Sequence, residues 1–169
     1  MTEPADTALL SYALTTIPAV LAQATPGHPH QGRLEIEVSR NPGAKGETSC
    51  RSITVEVPTG DHPQALTDRP ERLDTAYRAP HGSTWHLRTD TTTHTDRTVI
   101  TCTPENPRRQ AVFDETDTFT LVLERIALTG PAGTVSLRVT DDTAGPSQAH
   151  ARRNTVLPVT VQQAPDGAS

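Results

Sequence analysis

The chain reads as an all-β protein, a single antiparallel β-sandwich of about eight short strands. Three observations carry this. Apolar residues alternate with polar ones in segment after segment, the period of a half-buried strand. Fifteen prolines and ten glycines break the chain too often for long helices. Threonine is abundant, and β-branched residues favour strands.

With 169 residues there is enough chain for one domain with its own core. Hydrophobic residues make up 33% and aromatics 3%, so that core is mostly Val, Leu, Ile and Ala. The expected organisation is a flexible N-terminus over 1–10, a sandwich over 11–163 and a flexible tail over 164–169.

Tyr12 to Ile17 reads as a first strand, with Pro18 and a short apolar piece, Ala19 to Ala22, after it. A turn-rich link from Thr25 to Gly32 leads to RLEIEVS, with Leu34, Ile36 and Val38 inward. Arg51 to Val57 repeats the pattern with Ile53, Val55 and Val57. Leu66 to Ala76 fits either a helical turn or an irregular strand. Ser83 to Thr89 sets Trp85 and Leu87 against His86 and Arg88. The threonine-rich run 89–98 reads as an exposed hairpin tip, with Arg97 to Thr103 returning as the next strand.

Thr118 to Thr140 is the strongest stretch. Phe119, Leu121 and Leu123 alternate, and Ile126 and Leu128 resume one residue out of phase. One extra residue at Glu124-Arg125 restores the inward face, which predicts a β-bulge. Val135, Leu137 and Val139 alternate after a Gly/Pro turn, so the stretch predicts a central β-hairpin. Asp141 to Ala151 reads as a polar loop. Asn154 to Gln163 supplies a last strand that Pro158 confines to a sheet edge or bulge.

Between Leu14 and Pro58 the order of LTTIPA, GRLEIEVSRN and ITVEVP resembles the opening of bacterial immunoglobulin-like modules. There a strand, a proline and a glycine-bearing turn precede an alternating strand that ends near an asparagine. The later stretch with Gly130 and Gly133 is similar to their closing strands. The resemblance implies a two-sheet immunoglobulin-like sandwich used for adhesion, spacing or ligand contact, without catalytic residues. It departs from antibody-type domains, because Cys50 precedes a strand and Trp85 lies off the usual core position relative to the cysteines.

Function classes narrow by composition. The net charge is -5 with mixed signs, and no basic patch interleaves with aromatics, which excludes nucleic acid as the expected partner. No segment is long enough to span a bilayer. The N-terminus ends an apolar piece at Ala22-Gln23-Ala24 as signal peptides do, but Glu3 and Asp6 stand where basic residues belong. A cytoplasmic protein is therefore expected, with a secreted or surface protein as the alternative.

No metal, cofactor or catalytic set is expected. His81, His86 and His94 lack zinc-site spacing, and His28 and His30 flank Pro29 in a loop. Asp114, Glu115 and Asp117, and separately Asp141 and Asp142, are expected to be solvated loop acids rather than calcium ligands. No Gly-x-Ser-x-Gly or phosphate-binding loop occurs. Arg108-Arg109 and Arg152-Arg153 read as solvated.

Cys50 and Cys102 are the only cysteines and a possible disulfide, which would contribute roughly 4 kcal/mol. Cys102 shares a face with Ile100, whereas Cys50 is out of phase with Ile53 and should face outward, unless it belongs to the preceding loop, in which case a bridge is expected. Opposite facing predicts two free thiols. The function expected is a non-enzymatic binding or structural module contacting a protein or glycan. The alternatives are a small hydrolase or metal-dependent enzyme on a β scaffold, and a membrane-active β protein.

Overall fold

The structure, a computed structural model, describes residues 8–24, 31–44, 46–79, 83–106, 108, 110–128 and 132–163. Among them are eleven strands: β1 (Leu10–Ile17), β2 (Leu21–Ala22), β3 (Gln31–Arg40), β4 (Thr48–Pro58), β5 (Asp74–Arg78), β6 (Trp85–Asp90), β7 (Arg97–Pro104), β8 (Ala111–Phe113), β9 (Thr118–Ala127), β10 (Gly133–Ala144) and β11 (Ala151–Gln162). The 66–76 stretch contains both expected forms, a 3-10 turn at Pro70–Arg72 and then β5.

The strands form two sheets. The smaller runs β1-β3-β9-β5, and the larger runs β2-β11-β10-β4-β7-β6, with β8 added to β4. The fold is all-β, as expected, but not wholly antiparallel, because β2 lies parallel to the end of β11. The count exceeds eight because β2 and β8 are two- and three-residue strands too short to show alternation.

Inward residues of both sheets meet in one core. Leu34, Ile36 and Val38 of β3 and Phe119, Leu121 and Leu123 of β9 are buried with Ile53, Val55 and Val57 of β4 and Val135, Leu137 and Val139 of β10. Leu87, expected in that set, is only half-buried, since β6 ends its sheet and covers one side alone. Leu10, expected in a frayed start, is buried in β1.

The expected hairpin over Thr118–Thr140 does not form. β9 is flanked by β3 and β5, and β10 by β11 and β4, so neither has a free edge for the other. The chain crosses from one sheet to the other between them. Both strands point apolar residues at the same core from opposite sides, which yields the alternation of a hairpin without its pairing.

The bulge within β9 is present. Leu34 faces Leu123 and Gly32 faces Ile126, so β9 carries one residue more than β3 between those pairs. Arg125 absorbs it with φ 56°. The threonine-rich run is the tip of the β6–β7 hairpin, where the Asp90 carboxylate accepts from the backbone N–H of Thr92 and Thr93. Pro158 sits opposite Ser136 on a stretch of β11 that has no strand on its other side among the described residues, because β2 pairs only with Val161 and Gln162.

Candidate functional site

A second bulge builds the site. Thr143 faces Cys50 and Asp142 faces Ser52, so Arg51 is an extra residue in β4. There the neighbour of β4 changes. β7 pairs with it from Pro58 back to Ile53, and β8 pairs with Thr48 to Cys50. The larger sheet divides at this point, and a cleft of about 410 Å³ opens between the start of β6, the end of β7, β8 and the start of β9.

The cleft is floored by aromatic rings. Trp85 packs on Phe119 at a centroid distance of 4.3 Å and meets Phe113 edge-on at 6.5 Å. Tyr77 stacks on Phe119 at 5.9 Å, and its hydroxyl accepts from the backbone N–H of Trp85 at 3.0 Å. Thus four of the five aromatic residues in the chain gather at one place. They come from β5, β6, β8 and β9, on both sheets, so no local pattern could have grouped them.

The rim is polar. Asn106 donates to the Gln110 carbonyl at 2.7 Å and accepts from the Gln110 N–H at 3.4 Å, which clasps the connecting loop. Gln110 Oε1 in turn accepts from Ser49 Oγ at 3.2 Å. The backbone N–H of Glu105 donates to the Thr84 carbonyl at 2.8 Å. Glu105 and Asp117 are acidic residues of the lining, which disfavours anions; the Glu105 carboxylate lies 3.6 Å from His86 Nδ1 and the Asp117 carboxylate accepts the Asp114 N–H at 3.1 Å. A shallower depression of about 790 Å³ lies beyond the same segment, bounded by Arg51, His86, Thr103 and Pro104 to Asn106.

The other residues singled out in the sequence do not converge. His86 is exposed with its Nδ1 3.6 Å from Glu105, whereas His94 sits in the hairpin tip beyond the far end of β6. His28, His30, His81 and Arg109 lie outside the described residues. Asp114 accepts from the backbone N–H and hydroxyl of Thr116 and from the Asp117 N–H, so this acidic loop uses its carboxylate to fold itself. Those bonds hold the Asp114 carboxyl below the usual carboxylate range. Among the described residues no three His, Cys, Asp or Glu side chains are grouped so as to hold a metal ion. No helix among them is long and apolar enough to cross a membrane.

Asp141 corrects the sequence reading. It is no loop acid but a buried residue of β10, which runs on to Ala144. Its carboxylate accepts from the Tyr12 hydroxyl across the core and from Thr143 Oγ1 at 2.7 Å. Arg153, also expected in solvent, donates to the Thr143 carbonyl at 2.8 Å and to Thr143 Oγ1 at 3.0 Å. Burial raises the Asp141 pKa above the usual carboxylate value.

Cys50 also differs from expectation. The Arg51 bulge shifts the phase, so Cys50 and Ile53 both face inward and Cys50 is fully buried. Cys102 is buried too, and the two thiols are unbridged. Burial, with the Asp141 charge nearby, pushes the Cys50 thiol up, and burial raises Cys102 to about 12. Neither is a nucleophile at neutral pH.

No protein family matches the chain, and no curated protein matches it. Solved structures match in fold. AvmM, described as catalysing macrocyclization in alchivemycin A biosynthesis, superposes with a TM-score of 0.51 at 10% identity, over 95% of this chain and 93% of its own. BslA, a bacterial hydrophobin, gives 0.44 at 16% identity over 90% and 95%. AggA, the major subunit of aggregative adherence fimbriae type I from Escherichia coli, gives 0.36 at 8% identity over 91% and 95%. The likeness to AvmM is one of fold alone.

Proposed function

We propose that the chain is a non-enzymatic binding module of immunoglobulin-like type whose cleft takes part of a glycan. The strand order supports the fold reading. β1-β3-β9-β5 follows the A-B-E-D order of an immunoglobulin sheet, and β11-β10-β4 follows G-F-C. The difference is the β6–β7 hairpin, which continues the larger sheet yet follows β5 in the chain.

The single observation that carries the binding reading is the polar-rimmed cleft lined by three of the five aromatics, Trp85, Phe113 and Phe119, with Tyr77 packed behind Phe119. An apolar floor with a few polar groups is the usual make-up of a ligand site. Hydroxyl donors suit Glu105, Asp117 and Thr84, and the apolar face of a sugar ring suits the floor. A glycan partner goes with a secreted or surface protein, the alternative to the cytoplasmic expectation.

Trp85 is the only tryptophan and sits in the cleft, so its emission reports occupancy. Titration with a panel of neutral oligosaccharides should give a saturable change for at least one, weakened several-fold by Glu105→Gln. Emission unchanged across the panel overturns the glycan reading. A response to short apolar peptides alone moves the partner to protein.

A second reading, an enzyme on the same scaffold, draws on the two cleft carboxylates, Glu105 and Asp117, a residue type used for acid–base chemistry. Release of new reducing ends during the same titrations would favour it.

A further inference from the structure

We propose that the free edge of β1 pairs with β1 of a second copy of this chain, joining two four-stranded sheets into one. Among the described residues β1 pairs only with β3, so the backbone on its other side has no strand partner. Its eight residues, LSYALTTI, include no charge, proline or glycine. Natural edge strands are usually short or protected by such residues, because an unprotected edge recruits another strand.

The other edges among the described residues follow that rule, and the unpaired stretch of β11 carries Arg152, Arg153 and Pro158. β5 has five residues and carries Asp74 and Arg78. β6 carries His86, Arg88 and Asp90. β1 is also unfinished on its sides. Tyr12 and Leu14 point towards the core but are only half-buried, and Ala13, Thr15 and Ile17 are exposed. Among the described residues Ile17, the last residue of this edge, and Val20, in the connection that follows, are two of the four exposed large hydrophobics, at 43% and 55%.

The pattern selects a second copy as the occupant. A two-fold axis normal to the sheet makes the strands antiparallel and keeps the inward faces on one side. With that axis at Ala13, Ala13 faces its own counterpart and Tyr12 faces Leu14 of the other copy. Ser11 then faces Thr15, and Leu9 faces Ile17. Leu10 falls opposite Thr16, the one mixed pair; in the others apolar residues meet apolar ones and hydroxyls meet hydroxyls, and no like charges are opposed. The half-buried Tyr12 and Leu14 become covered. A contact of one strand per copy is smaller than the standard interface of about 1,600 Å², so the dimer dissociates on dilution.

Sedimentation of the full chain over a concentration series tests this. A monomer–dimer equilibrium is expected, and Ala13→Lys, which opposes two ammonium groups at the axis, should weaken it at least tenfold. Ala13 is exposed, so the melting temperature of the diluted variant should stay at the wild-type value. Ala76→Lys on the β5 edge should leave the dimer intact. In a mild oxidant Ala13→Cys should give a covalent dimer on a non-reducing gel, and Thr15→Cys should not. A chain that stays monomeric throughout overturns the proposal. So does a dimer indifferent to Ala13→Lys, one lost in Ala76→Lys, or cross-linking that is equal at positions 13 and 15.

Discussion

The Tyr12 hydroxyl, on β1 of the smaller sheet, donates to the buried carboxylate of Asp141 on β10 of the larger sheet. The bond ties the sheets together through the core, near the buried thiol of Cys50 and the Thr143–Arg153 pair. Buried polar groups cost stability unless they are paired, so each member of this set depends on the others.

Tyr12→Phe should therefore destabilise the protein by about 1–3 kcal/mol, because it leaves the carboxylate short of a donor. The pH dependence has a definite sign. Burial raises the folded-state pKa of Asp141, so the folded chain holds that proton more tightly than the unfolded chain. The stabilising effect of that proton is complete below the ordinary carboxylate pKa and is lost as pH rises through the raised value. Glu35, Asp90 and Asp114 are shifted down and act in the opposite sense, so the contribution of Asp141 must be read as a difference. In urea unfolding at a series of pH values, Asp141→Asn should gain on the wild type as pH rises from about 4 to 7. A gap that does not change with pH would refute the shift.

Arg125 holds the extra residue of the β9 bulge at φ 56°, where a side chain costs roughly 1–2 kcal/mol relative to glycine. Its Nε lies 3.3 Å from an Asp74 carboxylate, but both side chains are more than half exposed, so little is lost with that pair. Arg125→Gly should raise the urea midpoint, and Arg125→Val should lower it. Equal destabilisation by both would mean that the guanidinium matters more than the backbone.

Cys50 and Cys102 should be two free thiols that react only after unfolding. Burial raises both pKa values, Cys102 to about 12, and leaves little thiolate at neutral pH. Thiol titration of freshly isolated protein should find no fast-reacting group in buffer and two in denaturant, with or without reductant. A single bridge per chain, released only by reductant, would falsify the free-thiol reading.

Leu121 is 1% exposed in the shared core, and Leu121→Ala should cost roughly 2–5 kcal/mol. Val156, exposed on β11, is the control, and Val156→Ala should stay within about 0.5 kcal/mol. Matching midpoints for the two variants would mean that the core packs loosely around Leu121.

The sequence by itself determined most of the longer strands and the inward side of their apolar residues. Leu34, Ile53, Leu121 and Val139 could be assigned to the core because period-two alternation is a property of one strand and needs no partner. The Arg125 bulge and the free side of β11 at Pro158 were legible for the same reason, since each is a local backbone constraint. Only the tertiary structure decided which strands pair. Backbone hydrogen bonds carry little side-chain identity, so β9 and β10 alternate alike whether they share a sheet or face each other across the core. The same blindness hid the burial of Asp141, whose donor Tyr12 comes from the other end of the chain. It hid the inward turn of Cys50, which depends on a bulge measured against β10. The cleft was beyond reach as well, since Tyr77, Trp85, Phe113 and Phe119 are isolated in sequence and meet only where β7 leaves β4.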